Sequence, residues 1–277
     1  MSTSSINDQS VQATMLIPLW GRAKYSEQNP QILNDAEAKR IIKQCDFDFS
    51  GVEKSFGELS GLCYVVRARK IDNAIRGYIA KHPRATVVNI GVGLDTTFSR
   101  VDNGLIHWYN LDLPDAIAYR KTLIPDSERN SCIAKSVLDT SWFDDIIFKP
   151  ANGIMFVSGG VFYYLHEEDL KVLFAKMTAH FPGGELYFDA ETAFAVKGSN
   201  RAVRKSGNTN AMMYFAVNDA KMFEQWSSGI TSLPVDPMFK GIAYSKKWRL
   251  GTRMLCRVNS LLKVMFFVHL RFAPLKA

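Results

Sequence analysis

The run Ala85 to Asp95, ATVVNIGVGLD, constrains this chain more than any other stretch. Thr86, Val87, Val88, Asn89 and Ile90 are mostly β-branched, which suits a strand covered on both faces in a parallel sheet. The strand stops at Gly91. Gly91 and Gly93 flank Val92, and the lack of a Cβ lets the backbone turn at positive φ and lets a ligand approach it. Plain tight turns after a strand also carry glycine pairs. The reading of this loop as a nucleotide-type site therefore depends on what lies downstream.

Downstream, a rhythm of strands and helices repeats. Leu105 to Leu113 predicts a strand, and Pro114 to about Leu123 a helix with proline in its first turn. Ser131 to Leu138 and Gly153 to Ser158 predict the third and fourth strands, Glu167 to His180 a helix, and Glu185 to Ala190 the fifth strand. Trp248 to Leu262 reads as a helix and Val264 to Phe272 as the last strand. Alternation of this kind specifies an α/β fold with a doubly wound, mostly parallel sheet. Ahead of it, apolar spacing predicts a helix from Ile32 to Cys45 and another from Ser55 to Lys81, or two broken around Gly61. Residues 15–84 form an N-terminal arm. Its first part, Met15 to Pro30, reads as irregular because Pro18 and Gly21 interrupt it.

With 277 residues and 47% hydrophobic content, the chain can close a sizeable core as one domain over 15–277. Residues 1–14 are polar and serine-rich at their start and read as disordered. The formal charge of +7 is scattered, and no nucleic-acid motif accompanies it. No window is long and apolar enough to span a membrane, and MSTSSINDQS is no signal peptide, so a cytoplasmic protein with neither nucleic-acid nor membrane partners is expected. Cys45, Cys63, Cys132 and Cys256 form no C-x-x-C pair, so no metal site is expected and the thiols read as reduced core residues. The sequence sets no oligomeric state.

In an open α/β sheet, ligands bind outside the carboxyl ends of the strands. Each strand end here offers something. The first has Gly91-Val92-Gly93. The second has Asp112, about twenty residues on, the spacing at which a carboxylate accepts both hydroxyls of an adenosine ribose. Val137, Leu138 and Asp139 follow the third, suited to a flat base with an exocyclic amine. Ser158-Gly159-Gly160 ends the fourth. Singly, Asp112 also reads as a helix cap, and Asp139 and the Gly159-Gly160 pair as turn residues; together they favour one adenosine ligand. Thr96 stands where a dinucleotide loop carries its third glycine, which disfavours NAD. S-adenosyl-L-methionine has no phosphate, and Arg67 and Arg22, or Lys24, are candidates to hold its carboxylate.

At NIGVGLDTTFSR, WYNLDLP, SVLDTSWFDD and GGVFYYL the chain resembles the leucine carboxyl methyltransferase family, including its bacterial branch of polyketide-type O-methyltransferases. The resemblance runs from about Leu16 to Asp189. It implies a Rossmann-like class I methyltransferase fold, with a doubly wound seven-stranded sheet, and S-adenosylmethionine as cofactor. It also implies that Arg67 binds the methionine carboxylate, Gly91 and Gly93 the methionine moiety, Asp112 the ribose, and Leu138 and Asp139 the adenine, with Tyr164 lining the methyl-transfer site. Two positions depart from the family pattern. Asn110 replaces the acidic residue two before Asp112, and Gly159 stands where the fourth strand usually carries an acid facing the cofactor's amine.

The expected reaction is O-methylation of a small-molecule carboxylate or hydroxyl. A carboxylate needs no general base; for a phenol, His166, Tyr163 and Tyr164 are at hand. The segment 191–229 reads as a helical lid, with Phe194, Met212, Met213, Tyr214, Phe215 and Trp226 for a flat acceptor and Lys197, Arg201, Arg204 and Lys205 for an acidic one. A cofactor-binding protein without transferase activity and an NAD-dependent oxidoreductase are the alternatives.

Overall fold

The computed structural model describes residues 11–45, 47–206 and 211–274. Disorder is expected over residues 1–14; residues 11–14 are helical instead, which corrects that expectation, and residues 1–10 lie outside the described residues.

The N-terminal arm is helical from its first described residue. Helix α1 (Val11–Gln28) runs through Pro18 without stopping, so the irregular segment expected at Met15 to Pro30 is a correction. Proline removes one backbone donor and crowds the preceding turn, but Leu16 and Leu19 on either side of it are fully buried. Tertiary packing on α2 (Ala36–Gln44) and α4 (Glu58–Ile79) holds the helix in place. Asp35 caps α2 by accepting from the Ala38 N–H at 3.0 Å. The short α3 (Ser50–Ser55) precedes α4, which passes unbroken through Gly61. That glycine is a contact point rather than a break: a Cβ on it would lie 2.2 Å from the Tyr25 ring. The absence of a side chain lets α1 seat against α4.

The sheet follows. β1 (Thr86–Ile90) leads through α5 (Thr97–Val101) to β2 (His107–Asp112), α6 (Pro114–Leu123) and β3 (Asn130–Ala134). The third strand is shorter than expected: 137–139 lie in the turn before a 3-10 segment, Thr140–Asp145. Then come β4 (Ile154–Ser158), α7 (Glu167–His180), β5 (Glu185–Glu191), α8 (Ala193–Ser206), β6 (Ile230–Ser232), β7 (Asp236–Pro237), α9 (Leu250–Leu262) and β8 (Met265–Phe272). The strand order is β3-β2-β1-β4-β5-β8-β6, with the two-residue β7 pairing β8 off this path. β1 to β5 are mutually parallel, and β8 lies antiparallel between β5 and β6. This is the doubly wound, Rossmann-like sheet expected from the sequence. All five residues of β1 and of β4 are buried, as central strands covered on both faces require.

One face carries an aromatic core of Trp142, Phe156, Phe174, Phe181, Phe188 and Phe223 under α7. The other packs Val65, Ile75, Val87, Met155, Tyr187 and Phe267 under α4. Among the described residues of segment 191–229, the α-helical part is α8. Its return passes along Tyr163, whose carbonyl accepts from the Tyr214 and Phe215 N–H groups at 2.7 and 3.2 Å.

Candidate active site

The order of the sheet reverses between β1 and β4, which makes the carboxyl ends of these strands the switch point. The parallel register pairs Ile90 with both Leu111 and Ser158, so the loops after β1, β2 and β4 emerge side by side. Gly91 takes φ +65° and Gly93 φ +47°. A Cβ on Gly91 would lie 2.3 Å from Val161 Cγ2, so close approach as well as backbone conformation requires glycine there. The Gly93 N–H donates to Asp112 Oδ2 at 2.7 Å, and the Leu113 N–H to Asp112 Oδ1 at 2.8 Å. Burial pushes the Asp112 carboxyl above its usual range, against the two N–H groups that favour its charge. The structure thus brings Gly91, Gly93 and Asp112 together, with one backbone bond on each carboxylate oxygen.

Arg67, on α4, reaches the end of β4 from the other side. Its Nη2 lies 2.8 Å from Asp189 Oδ2 and donates to the Tyr163 hydroxyl at 3.4 Å. Burial works against its charge, but Asp189 and the neighbouring tyrosines outweigh it and hold the guanidinium protonated. Its Nε is buried and has no hydrogen-bond partner. Asp189 Oδ1 accepts from the Gly160 N–H at 2.7 Å. Gly159 lies directly beneath this pair: a Cβ there would stand 3.0 Å from Ile71 Cδ1 and 3.2 Å from Arg67 Cδ.

Arg22 is placed under the loop. Its Nη2 donates to the Leu94 carbonyl at 2.8 Å, and its Nε lies 3.3 Å from Asp35 Oδ2. Lys24 pairs with Glu53 and lies over the Trp20 ring. Leu138 and Asp139 are exposed beyond β3, where Asp139 caps the 3-10 segment by accepting from the Ser141 N–H at 3.1 Å. Hydrogen bonds from Ser141, its hydroxyl first and its N–H second, lower the Asp139 pKa. Tyr164 is partly exposed, its ring 4.7 Å from that of Tyr163, and burial raises its hydroxyl pKa. The His166 ring is 4.5 Å from Tyr214.

Three residues escaped the sequence reading. Asp189 and Glu191 alternate along β5 on the face turned to α4, and both are buried. Two acids in ELYFDAE, at the end of an apolar strand, are a signal that could have exposed them. Arg120, fully buried on α6, donates to the Gly93 and Asp95 carbonyls at 2.9 and 2.8 Å. An arginine in a short mixed helix gives no such signal. Among the described residues, no group of three or more His, Cys, Asp or Glu side chains could hold a metal. No helix among the described residues is long and apolar enough to cross a membrane. The four cysteines are free; Cys256 is buried in the core, Cys63 and Cys45 pack partly buried against core clusters, and Cys132 is half-buried. A groove of about 490 Å³ between Ile32, Arg69, Arg76 and Ser99 contains none of the candidate residues.

The family model for leucine carboxyl methyltransferase matches residues 15–178, a span from α1 through most of α7. The chain belongs to the leucine carboxyl methyltransferase family. Membership places it among the S-adenosylmethionine-dependent methyltransferases. It is 30% identical over 203 residues to the tetracenomycin polyketide synthesis O-methyltransferase TcmP of Streptomyces glaucescens, covering 72% of this chain and 73% of that one. It is 24% identical over 194 residues to the S-adenosyl-L-methionine-dependent methyltransferase dpfgK of Gibberella zeae, covering 64% of this chain and 65% of the other. A DUF574-family protein of Streptomyces avermitilis superposes with a TM-score of 0.61 over 94% of this chain and 97% of its own, at 11% identity, a likeness of fold.

Proposed function

We propose that this chain transfers a methyl group from S-adenosylmethionine to an oxygen of a small-molecule acceptor. The observation that carries the reading is the glycine turn locked to Asp112 at the β1/β4 switch point, with the buried Arg67 Nε beside it lacking a partner. An unsatisfied buried donor suits an anionic group, and the cofactor's carboxylate is one. In this reading Asp112 takes the ribose hydroxyls, Leu138 and Asp139 hold the adenine, and Gly91, Gly93 and Gly159 leave room for the methionine part. Tyr164 borders the transfer site. The family resemblance that carried Arg67 onto the carboxylate does not extend to Arg22. Its bond to Leu94 suggests that it supports the loop rather than the ligand.

The bound cofactor supplies a methyl group on a sulfonium. The residues of the chain then have to orient an acceptor oxygen in line and keep water away. The arm 15–84 and the segment 191–229, with Tyr214 and Phe215 returning along Tyr163, bound the acceptor side of a single domain over 15–277. Transfer to oxygen rather than nitrogen or carbon rests on the O-methyltransferase named among its relatives. The acid missing at Gly159 favours a second reading, a binding protein without transfer. Asp189 brings a carboxylate to the same strand end, from β5 instead of β4, and weighs against it. Calorimetry with S-adenosylmethionine, followed by a labelled-methyl assay on panels of carboxylic acids and phenols, separates the two. Binding with label in an ester or ether supports the proposal. Binding without transfer to any acceptor favours the second reading, and no binding removes both.

A further inference from the structure

Arg120 is the most deeply buried cation at the nucleotide-type loop and none of the roles above uses it. It is 2% exposed. Its Nη1 donates to two carbonyls of the loop at once, Gly93 O at 2.9 Å and Asp95 O at 2.8 Å, while its Nε is buried without a partner. We infer that Arg120 is a positioning residue for the cofactor loop, an inference that rests on the methyl-transfer reading given above.

Asp112 ends β2 and α6 begins two residues later, so Asp112 and Arg120 belong to one strand-helix unit. Asp112 holds the N–H of Gly93, and Arg120 holds its carbonyl. Both polar groups of one glycine at φ +47° are therefore fixed by the same unit. The next carbonyl, Leu94 O, is held by Arg22 from α1. The carbonyls of three consecutive residues, 93 to 95, are thus all engaged by arginines from α6 and α1. A loop that had to adopt this shape on binding would lose affinity in ordering itself; two fixed cations remove that loss.

A buried guanidinium with an unsatisfied Nε is a costly way to fill space. An apolar side chain would fill the interior of α6 at lower cost, so a filler role does not account for an arginine there. Lysine at this position offers one point charge on a flexible stem, whereas one guanidinium nitrogen here bridges two carbonyls in fixed directions.

The test uses the full-length protein, S-adenosylhomocysteine as the titrant, and the variants Arg120→Met and Arg120→Lys. Calorimetry gives Kd, thermal unfolding gives stability, and hydrogen exchange reports the amides of Gly93 to Thr96. Arg120→Met should weaken binding at least tenfold and speed exchange at those amides at a temperature where the variant is fully folded. Arg120→Lys should recover part of the affinity. Binding by folded Arg120→Met within twofold of the parent, or exchange that rises evenly across the sheet, overturns the inference. If Arg120→Met does not fold, Arg120→Lys alone decides, by a Kd raised at least threefold or unchanged. Failure of the unaltered protein to bind S-adenosylhomocysteine would instead count against the methyl-transfer reading itself.

Discussion

Arg67 and Asp189 form an ion pair, Nη2 to Oδ2 at 2.8 Å, that joins the middle of α4 to the end of β5 across the floor of the candidate site. The carboxylate side chain is 3% exposed. Breaking a buried pair from one side leaves an uncompensated charge and costs about 3–5 kcal/mol, far more than removing both partners. Arg67→Ala is therefore expected to destabilise the fold by an amount in that range, and Arg67→Ala with Asp189→Asn by clearly less. Urea unfolding of the two variants measures the difference; equal losses would show that the unpaired Asp189 carboxylate carries no penalty.

Asp112 offers a prediction about binding. Its carboxylate holds the Gly93 N–H, and in the proposed function it also accepts from the ribose hydroxyls. Hydrogen bonds to a charged group contribute about 1.5–3 kcal/mol each, so Asp112→Ala should weaken S-adenosylhomocysteine binding by at least about tenfold. Burial raises the Asp112 pKa. The ionised form is the acceptor, so affinity should begin to fall on acidification at a higher pH than an ordinary aspartate would dictate. Titrations across a pH series check both points, and an affinity indifferent to Asp112→Ala removes the ribose assignment.

The sheet was legible because buried parallel strands leave near-continuous apolar runs, and because α6 and α7 carry their own boundaries: Pro114 at the start of one, and Glu167, Glu168 and Asp169 in the first turn of the other. The grouping of Gly91, Gly93 and Asp112 was legible for the same reason, since parallel register sets neighbouring strand ends side by side. What escaped depended on contacts distant in sequence. Pro18 and Gly21 look like breaks until Leu16 and Leu19 are seen buried. Gly61 looks like a helix interruption until the Tyr25 ring is seen against it. The partners of Asp189 and Arg120 lie on other elements, and no local pattern announces them. β6 and β7 are three and two residues long, too short for a period to register.

Glu191 is buried, and among the described residues its side-chain hydrogen-bond partner is the Ser199 hydroxyl at 3.4 Å. Burial, and then the nearby Asp189, raise its pKa despite Arg67. A carboxyl whose pKa is higher folded than unfolded lowers stability where the unfolded chain is ionised, and this penalty vanishes below the unfolded pKa. Glu191→Gln should therefore raise Tm at pH 7.5, with the gain shrinking toward pH 4. A gain independent of pH, or a loss at pH 7.5, would mean that the charge is compensated.

Gly91 combines positive φ with a Cβ position 2.3 Å from Val161 Cγ2. Left-handed backbone at a non-glycine residue costs about 1–3 kcal/mol, and the overlap adds to it. Gly91→Ala should lower Tm by several degrees, and Val161→Ala in the same chain should restore only part, because it relieves the overlap and leaves the backbone strain. Full restoration would assign the glycine to packing alone.

Helix α9 turns its aliphatic side outward: Leu250, Met254 and Leu261 are 77, 63 and 80% exposed, while Thr252 and Cys256 face the core. Side chains this exposed lose little when made polar, so Met254→Glu and Leu261→Glu should each change unfolding stability by less than about 0.5 kcal/mol. Cys256 is fully buried, and Cys256→Asp should cost several times more, since it places a charge among apolar neighbours. Hydrophobic periodicity alone would assign the leucine side of this helix to the core. The contrast between the variants, measured by chemical unfolding, tests that the helix faces the other way.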